Sequence, residues 1–189
     1  MNKPARFPSV TGDTGGTARF TAAEFLHMVE AGAFDDIQIE LVQGELVRMN
    51  PPMNEHAGRQ AELIGQLWAV LPDARNRLRG EVAIDLGDDT IVACDVGLLS
   101  APYEGHRSVE AGAILLAVEI AMTTADRDLG VKRLLYASAG VPHYWVVDGK
   151  RSVTHVFEHP VDGDYASLRL VPFGETLAVP GTYATIALD

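Results

Sequence analysis

Residues 114–122 read "ILLAVEIAM", and eight of these nine residues are apolar. A short apolar run of this kind reads as a strand buried on both faces. Glu119 stands in the middle of it. Residues 90–99, "TIVACDVGLL", repeat the pattern with Asp95 as their acid. Taking an unpaired carboxylate out of water costs several kcal/mol, so such a group finds a partner, binds a metal or takes up a proton. Two of them in neighbouring strands define a candidate site.

Side chains alternate across a strand. Asp95 is then expected to share a face with Ala93 and Gly97, and Glu119 with Ala117 and Ala121. The bulky residues Val92, Cys94, Val96 and Leu98 fall on the opposite face of the first strand, so Cys94 should point away from the acids. Faces of small residues leave room for a divalent ion with its waters. Strands paired with the two acids level would let them share one Mg²⁺ or Mn²⁺, a hard ion that takes few carboxylates and keeps other oxygen ligands.

Outward from these runs, the chain alternates helix and strand signals. "FTAAEFLHMVEAGAF" is an expected helix with a capping-box pattern at Thr21 and Glu24. "IQIELVQGELVRM" gives two strands around a Gln43-Gly44 turn. A second helix follows, capped by Asn54, with an expected apolar stripe of Ala57, Ala61, Ile64, Trp68 and Leu71. "RGEVAIDL" pairs with "TIVACDVGLL" as a hairpin. "TTADRDLGVKRLLYASAG" is a helix stopped at Gly140, and a strand, "PHYWVVD", and a β-rich tail complete the chain. On that third helix Asp128, Lys132 and Tyr136 follow i, i+4, i+8 spacing and share a face. The helix begins near the end of the Glu119 strand, where a lysine could reach a phosphate and offset transition-state charge. Glu40, in a third apolar strand start, is an acid in the same kind of setting. The order implies a mixed α/β (α+β) domain.

Bulk properties bound the rest. The 189 residues, 47% of them hydrophobic, suit one domain with a sizeable core. Residues 1–19 are expected to be a flexible arm and residues 20–189 the domain. No apolar run approaches the roughly 18 residues of a membrane span, and no signal-peptide core stands at the start. Cys94 is the only cysteine, which excludes an intrachain disulfide and fits a reducing cytoplasm. Fifteen basic residues against 26 acidic ones give a net charge of −11. That argues against a general nucleic-acid coating protein, since phosphate binding needs local Lys and Arg. It leaves room for a nuclease, whose metal-binding carboxylates add negative charge.

Taken together, "ELVQGELVRMNPP" from Glu40, then His56, then "CDVGLL", then "VEIAMTTADRDLGVKRLLYASAGVPHYWVVD" resemble the Uma-two family of proposed restriction endonucleases, assigned to the PD-(D/E)xK nuclease superfamily. The likeness spans roughly Phe20 to Asp148. It implies a restriction-endonuclease-like core, a central mixed sheet flanked by helices, and a Mg²⁺- or Mn²⁺-dependent endonuclease acting on nucleic acid, DNA in the first instance; cutting both strands of a duplex would favour a homodimer. It matches Glu40, Asp95 and Glu119 to the family's acids, and adds the Ile120 carbonyl as a metal ligand. His56, Asp128 and Tyr136 become neighbours of the site. The chain departs from the pattern at Cys94, where the family motif has proline, and at Ala121, where it has lysine; the resemblance moves the lysine's role to Lys132. Two other readings stay open at this stage. One is a non-catalytic module binding nucleic acid or protein. The other is an acid–base hydrolase using two carboxylates.

Overall fold

The computed structural model describes residues 18–105 and 107–189. Of the expected arm, all but Ala18 and Arg19 lies outside the described residues. Helix α1 (Ala22–Glu30) starts as its sequence dictates. The Thr21 hydroxyl accepts from the Glu24 amide at 3.2 Å, and the Glu24 carboxylate accepts from the Thr21 amide at 2.9 Å. Both donors would otherwise lack partners at the helix start. Thr21→Ala is expected to destabilise the protein by about 1 kcal/mol. Chemical denaturation would report this as a lower midpoint at unchanged slope, and an unchanged midpoint would remove the cap from the account.

Strands β1 (Ile39–Val42) and β2 (Glu45–Arg48) form a hairpin in which Val42 pairs with Glu45. Gln43 and Gly44 both have positive φ, 50° and 81°, the geometry that matches a two-residue turn to strand twist. Helix α2 (Asn54–Val70) follows. Its N-cap is Met53, with no side-chain cap, so Asn54 begins the helix and does not cap it. Its buried stripe is Leu63 and Leu67. The expected stripe is corrected: Trp68 is 52% exposed, and Ile64 packs only at the margin of the core.

A short turn, α3 (Ala74–Arg77), leads into the long hairpin β3 (Leu78–Gly87) and β4 (Thr90–Leu99). The two-residue strand β5 (Val109–Glu110) pairs with β3, and a 3-10 turn leads to β6 (Ile114–Ala121). A helical segment comes next, made of α4 (Ala125–Arg127), a π-turn over Asp128–Lys132, and α5 (Arg133–Ser138). Gly140, at φ 77°, lets the chain leave the helix. Strands β7 (His143–Asp148), β8 (Val153–Val161) and β9 (Asp164–Pro172) extend the sheet, and β10 (Thr176–Ala178) pairs with β11 (Thr185–Ala187) apart from it.

The main sheet runs β2-β1-β4-β6-β7-β8-β9, with β3 along the other edge of β4. All pairs on that path are antiparallel except β6–β7, whose parallel pairing requires the helical crossover between them. One face packs Leu116, Val118, Ile120 and Trp145 against Leu63 and Leu67 of α2 and the β10–β11 pair. The other packs Ala117, Ala121 and Val146 against Tyr136 of α5. Helices on both faces are what the nearly unbroken apolar reading of β6 demands.

Candidate active site

The site forms where β4 changes neighbours. Leu41 of β1 pairs with Ile91 near the start of β4, while β6 pairs only from Val96 onward. Between these contacts the edge of β4 is open, forming a fork. The backbone of Ala93 points into it and is satisfied by side chains: its N–H donates to Glu40 Oε1 at 3.0 Å, and its carbonyl accepts from Lys132 Nζ at 2.8 Å. Two buried charged groups thus replace a missing strand.

Asp95 and Glu119 each stand one residue beyond the last paired residues, Val96 and Val118. The carboxylates are therefore level, as shared metal binding would require. The Ile120 amide, left free by the parting strands, donates to Asp95 Oδ2 at 2.6 Å. His56 Nε2 lies 3.0 Å from the same oxygen, and Gln60 Nε2 donates to the Asp95 carbonyl at 2.8 Å.

The alternation expected along β4 fails here. Val92 and Cys94 pack with Tyr136 on the α5 side, whereas Val96 and Leu98 pack on the α2 side. The β3–β4 register runs through Gly80↔Val96 and Val82↔Cys94 and skips Glu81 and Asp95. Glu81 has φ 48°, a left-handed backbone that is costly for a residue with a side chain. The faces of β4 change at this skipped pair, and Cys94 lies on the Glu119 side, not away from it.

Lys132 is the hub. Its ammonium donates to Glu119 Oε1 at 2.8 Å and to the Ala93 carbonyl, and it contacts Glu40 Oε1 at 3.1 Å. Arg127 meets the other oxygen of Glu40, and the Tyr136 hydroxyl donates to Glu119 Oε1 at 2.9 Å. Lys132, Glu40 and Glu119 are 2%, 3% and 4% exposed. Burial alone would pull the Lys132 pKa down, but Glu119 and Glu40 outweigh it and hold the pKa above its ordinary value. Burial pushes the Glu119 carboxyl up to about 8 against the opposing pull of Lys132, with Asp95 and Asp128 adding to the rise. The Tyr136 phenol is also pushed up by burial. The hydrogen bond to Asp95 raises His56, more than its own burial lowers it.

A consequence for stability follows from Glu119. Its pKa in the folded protein, about 8, exceeds the unfolded value of 4.5, so the folded state binds more protons between those limits. Stability then falls as pH rises through that window and levels off above it. Glu119→Gln keeps the acceptor and removes the titration. Its stability relative to wild type should grow with pH between about 5 and 8, by at most about 1.4 kcal/mol per unit. Denaturation midpoints of both proteins at several pH values would show this, and a constant difference would contradict it.

Asp128, the first residue of the Asp128–Lys132–Tyr136 series, is buried but bonds Thr124, whose hydroxyl donates to its carboxylate at 2.6 Å. Among the described residues it forms no ion pair with Lys132; the intervening π-turn alters the i, i+4 relation. Burial raises its pKa. Sequence reasoning missed Arg127, Gln60 and Glu81. Gln60 could have been found, since it follows His56 by one helical turn.

All eight residues singled out from the sequence except Tyr136 line one cavity of about 1040 Å³, together with Arg127, Glu81 and Lys150. Among the described residues, no three His, Cys, Asp or Glu side chains converge as a metal cage. Asp95 and Glu119, which line the cavity, supply hard oxygens. Asp95 Oδ1 and Glu119 Oε2 have no protein hydrogen-bond partner among the described residues. Two such carboxylates suit Mg²⁺ or Mn²⁺, which fill remaining positions with water and phosphate.

Compared with known protein families, residues 22–189 match the family described as "Uma2: Putative restriction endonuclease". The chain belongs to the Uma2 family. A crystal structure from Anabaena variabilis, of "a putative nuclease belonging to DUF820", has the same fold, with a TM-score of 0.65 at 19% identity over 85% of this chain and 89% of that one. No curated protein matches. The Uma2 match bears out the family resemblance, and the shared fold bears out the restriction-endonuclease-like core. No described helix is long and apolar enough to cross a membrane.

Proposed function

We propose that this Uma2 protein is a metal-dependent endonuclease that hydrolyses phosphodiester bonds in DNA. The observation that carries the reading is the pair Asp95 and Glu119, level at the fork and lining the same cavity, each with one carboxylate oxygen that has no hydrogen-bond partner among the described residues. Those oxygens and the Ile120 carbonyl are the proposed ligands of Mg²⁺ or Mn²⁺. The ion, when bound, would polarise the phosphate and lower the pKa of an attacking water.

The chain's own residues divide the remaining work. Lys132 has protein acceptors for all three protons, which favours holding Glu119 in place over touching the phosphate directly. Glu40 fixes Ala93 and Arg127 and so holds the fork open. Arg127 and Lys150 line the cavity and can offer charge to a phosphate oxygen. A symmetric dimer would bring two such sites to the two strands of a duplex.

The test is calorimetry of Mn²⁺ binding to wild type and to Glu119→Ala, followed by a plasmid cleavage assay. Binding and cleavage that vanish together in the variant support the reading. A wild type without Mn²⁺ binding, alone or with duplex present, rejects it. That second result would favour a non-catalytic module on the same fold. The net charge of −11 and the Ala121 replacement of the strand lysine point that way, as does a buried ion network that is already satisfied.

A further inference from the structure

We infer that α2 is the positioning helix of the site, with His56 and Gln60 clamping Asp95 so that one carboxylate oxygen is held and the other is left without a partner among the described residues. The inference rests on the metal reading given above for what the free oxygen does, but the clamp itself is a matter of geometry. His56 and Gln60 lie one turn apart on α2 and meet the same residue of β4 at two points. The His56 side chain is 16% exposed and reaches Oδ2, where the Ile120 amide also arrives. Gln60 holds the backbone carbonyl of Asp95.

Asp95 needs such support. It sits where β4 has left β6, and where the register with β3 skips it opposite the left-handed Glu81. Asp95 therefore has no paired residue in either β3 or β6. With one oxygen taking two donors, the carboxylate has a single orientation. A ligand whose orientation is fixed by neighbouring hydrogen bonds holds metal more tightly, typically by ten- to a hundredfold. His56 is thus a positioning residue. The helix that carries it is fixed in turn by Leu63 and Leu67 in the core.

Two readouts test the clamp, and one needs no metal. In His56→Leu the Ile120 amide should exchange its hydrogen about tenfold faster, as expected when a hydrogen-bond network of this size is loosened. The Leu116 and Val118 amides serve as unaffected controls. His56→Gln, which can restore a donor near the Nε2 position, should return the exchange rate to near wild type. Mn²⁺ affinity should follow the same order, falling ten- to a hundredfold in the leucine variant. Equal exchange in His56→Leu and wild type overturns the proposal, as does an equal disturbance in the leucine and glutamine variants. If His56→Leu does not fold, Gln60→Met removes the second attachment alone. It should also speed Ile120 exchange, and an unchanged rate there overturns the clamp. A wild type that binds no Mn²⁺ sinks the metal reading, and Ile120 exchange still decides the clamp.

Discussion

Above pH 8, where Glu119 is ionised, Lys132→Met should cost about 3–5 kcal/mol of folding stability, the range for removing one partner from a buried ion pair. Methionine fills nearly the same volume and suits the apolar surroundings of the lysine stem, so packing contributes little to the loss. The cost is electrostatic. Glu40 and Glu119, both nearly inaccessible to water, lose their shared cation, and the Ala93 carbonyl loses its side-chain donor. Arg127 still meets Glu40 and Tyr136 still meets Glu119, which keeps the loss below that of two naked charges. The double variant Lys132→Met/Glu119→Gln should recover a large part of it, since the buried charge left behind is gone. The exposed pair Arg19–Glu45, at 63% and 57% side-chain exposure, gives the contrast: breaking it should cost under about 1 kcal/mol. Urea denaturation of the four proteins measures all of this. A Lys132→Met loss as small as that of the surface pair would mean that the network does not hold the fork.

The same contrast explains what was legible in the sequence. Asp95, Glu119 and Glu40 stood out because each interrupts an apolar run, and a buried acid is the informative exception in such a run. Lys132 and Tyr136 stood out by helical spacing. What the spacing could not carry was the partner of each group. Arg127 and Glu40 are 87 residues apart, and nothing local to either announces the contact. The choice of stripe on α2 failed for a related reason. Its sequence offers two apolar faces about one residue apart in rotation, and only docking on the sheet selects Leu63 and Leu67 over Trp68. The reversal at Cys94 was hidden more deeply. It coincides with the left-handed backbone of Glu81, a glutamate whose identity gives no hint of positive φ.

Asp95→Asn should separate chemistry from folding more cleanly than any other change. Asparagine has the same shape, and its carbonyl oxygen can still accept from the Ile120 amide. Asp95 is also the more accessible of the two acids, with a side chain 20% exposed against 5% for Glu119, so its charge stabilises the fold less. The folding cost should therefore be about 1 kcal/mol, one neutral hydrogen bond replacing a charge-assisted one. The effect on the proposed reaction is of another size. A neutral amide oxygen is a poor ligand for a hard divalent ion. Losing the ion forfeits several kcal/mol of transition-state stabilisation, and every 1.4 kcal/mol is a factor of ten in rate. Cleavage should fall at least about a hundredfold, with Mn²⁺ binding lost in parallel. Lys132→Met and Asp95→Asn thus have opposite signatures: one loses stability first, the other loses metal and cleavage first. Wild-type cleavage by Asp95→Asn at saturating Mn²⁺ would exclude Asp95 as a metal ligand. It would leave the fork as a structural knot, held by Lys132 and two buried glutamates for the sake of the fold alone.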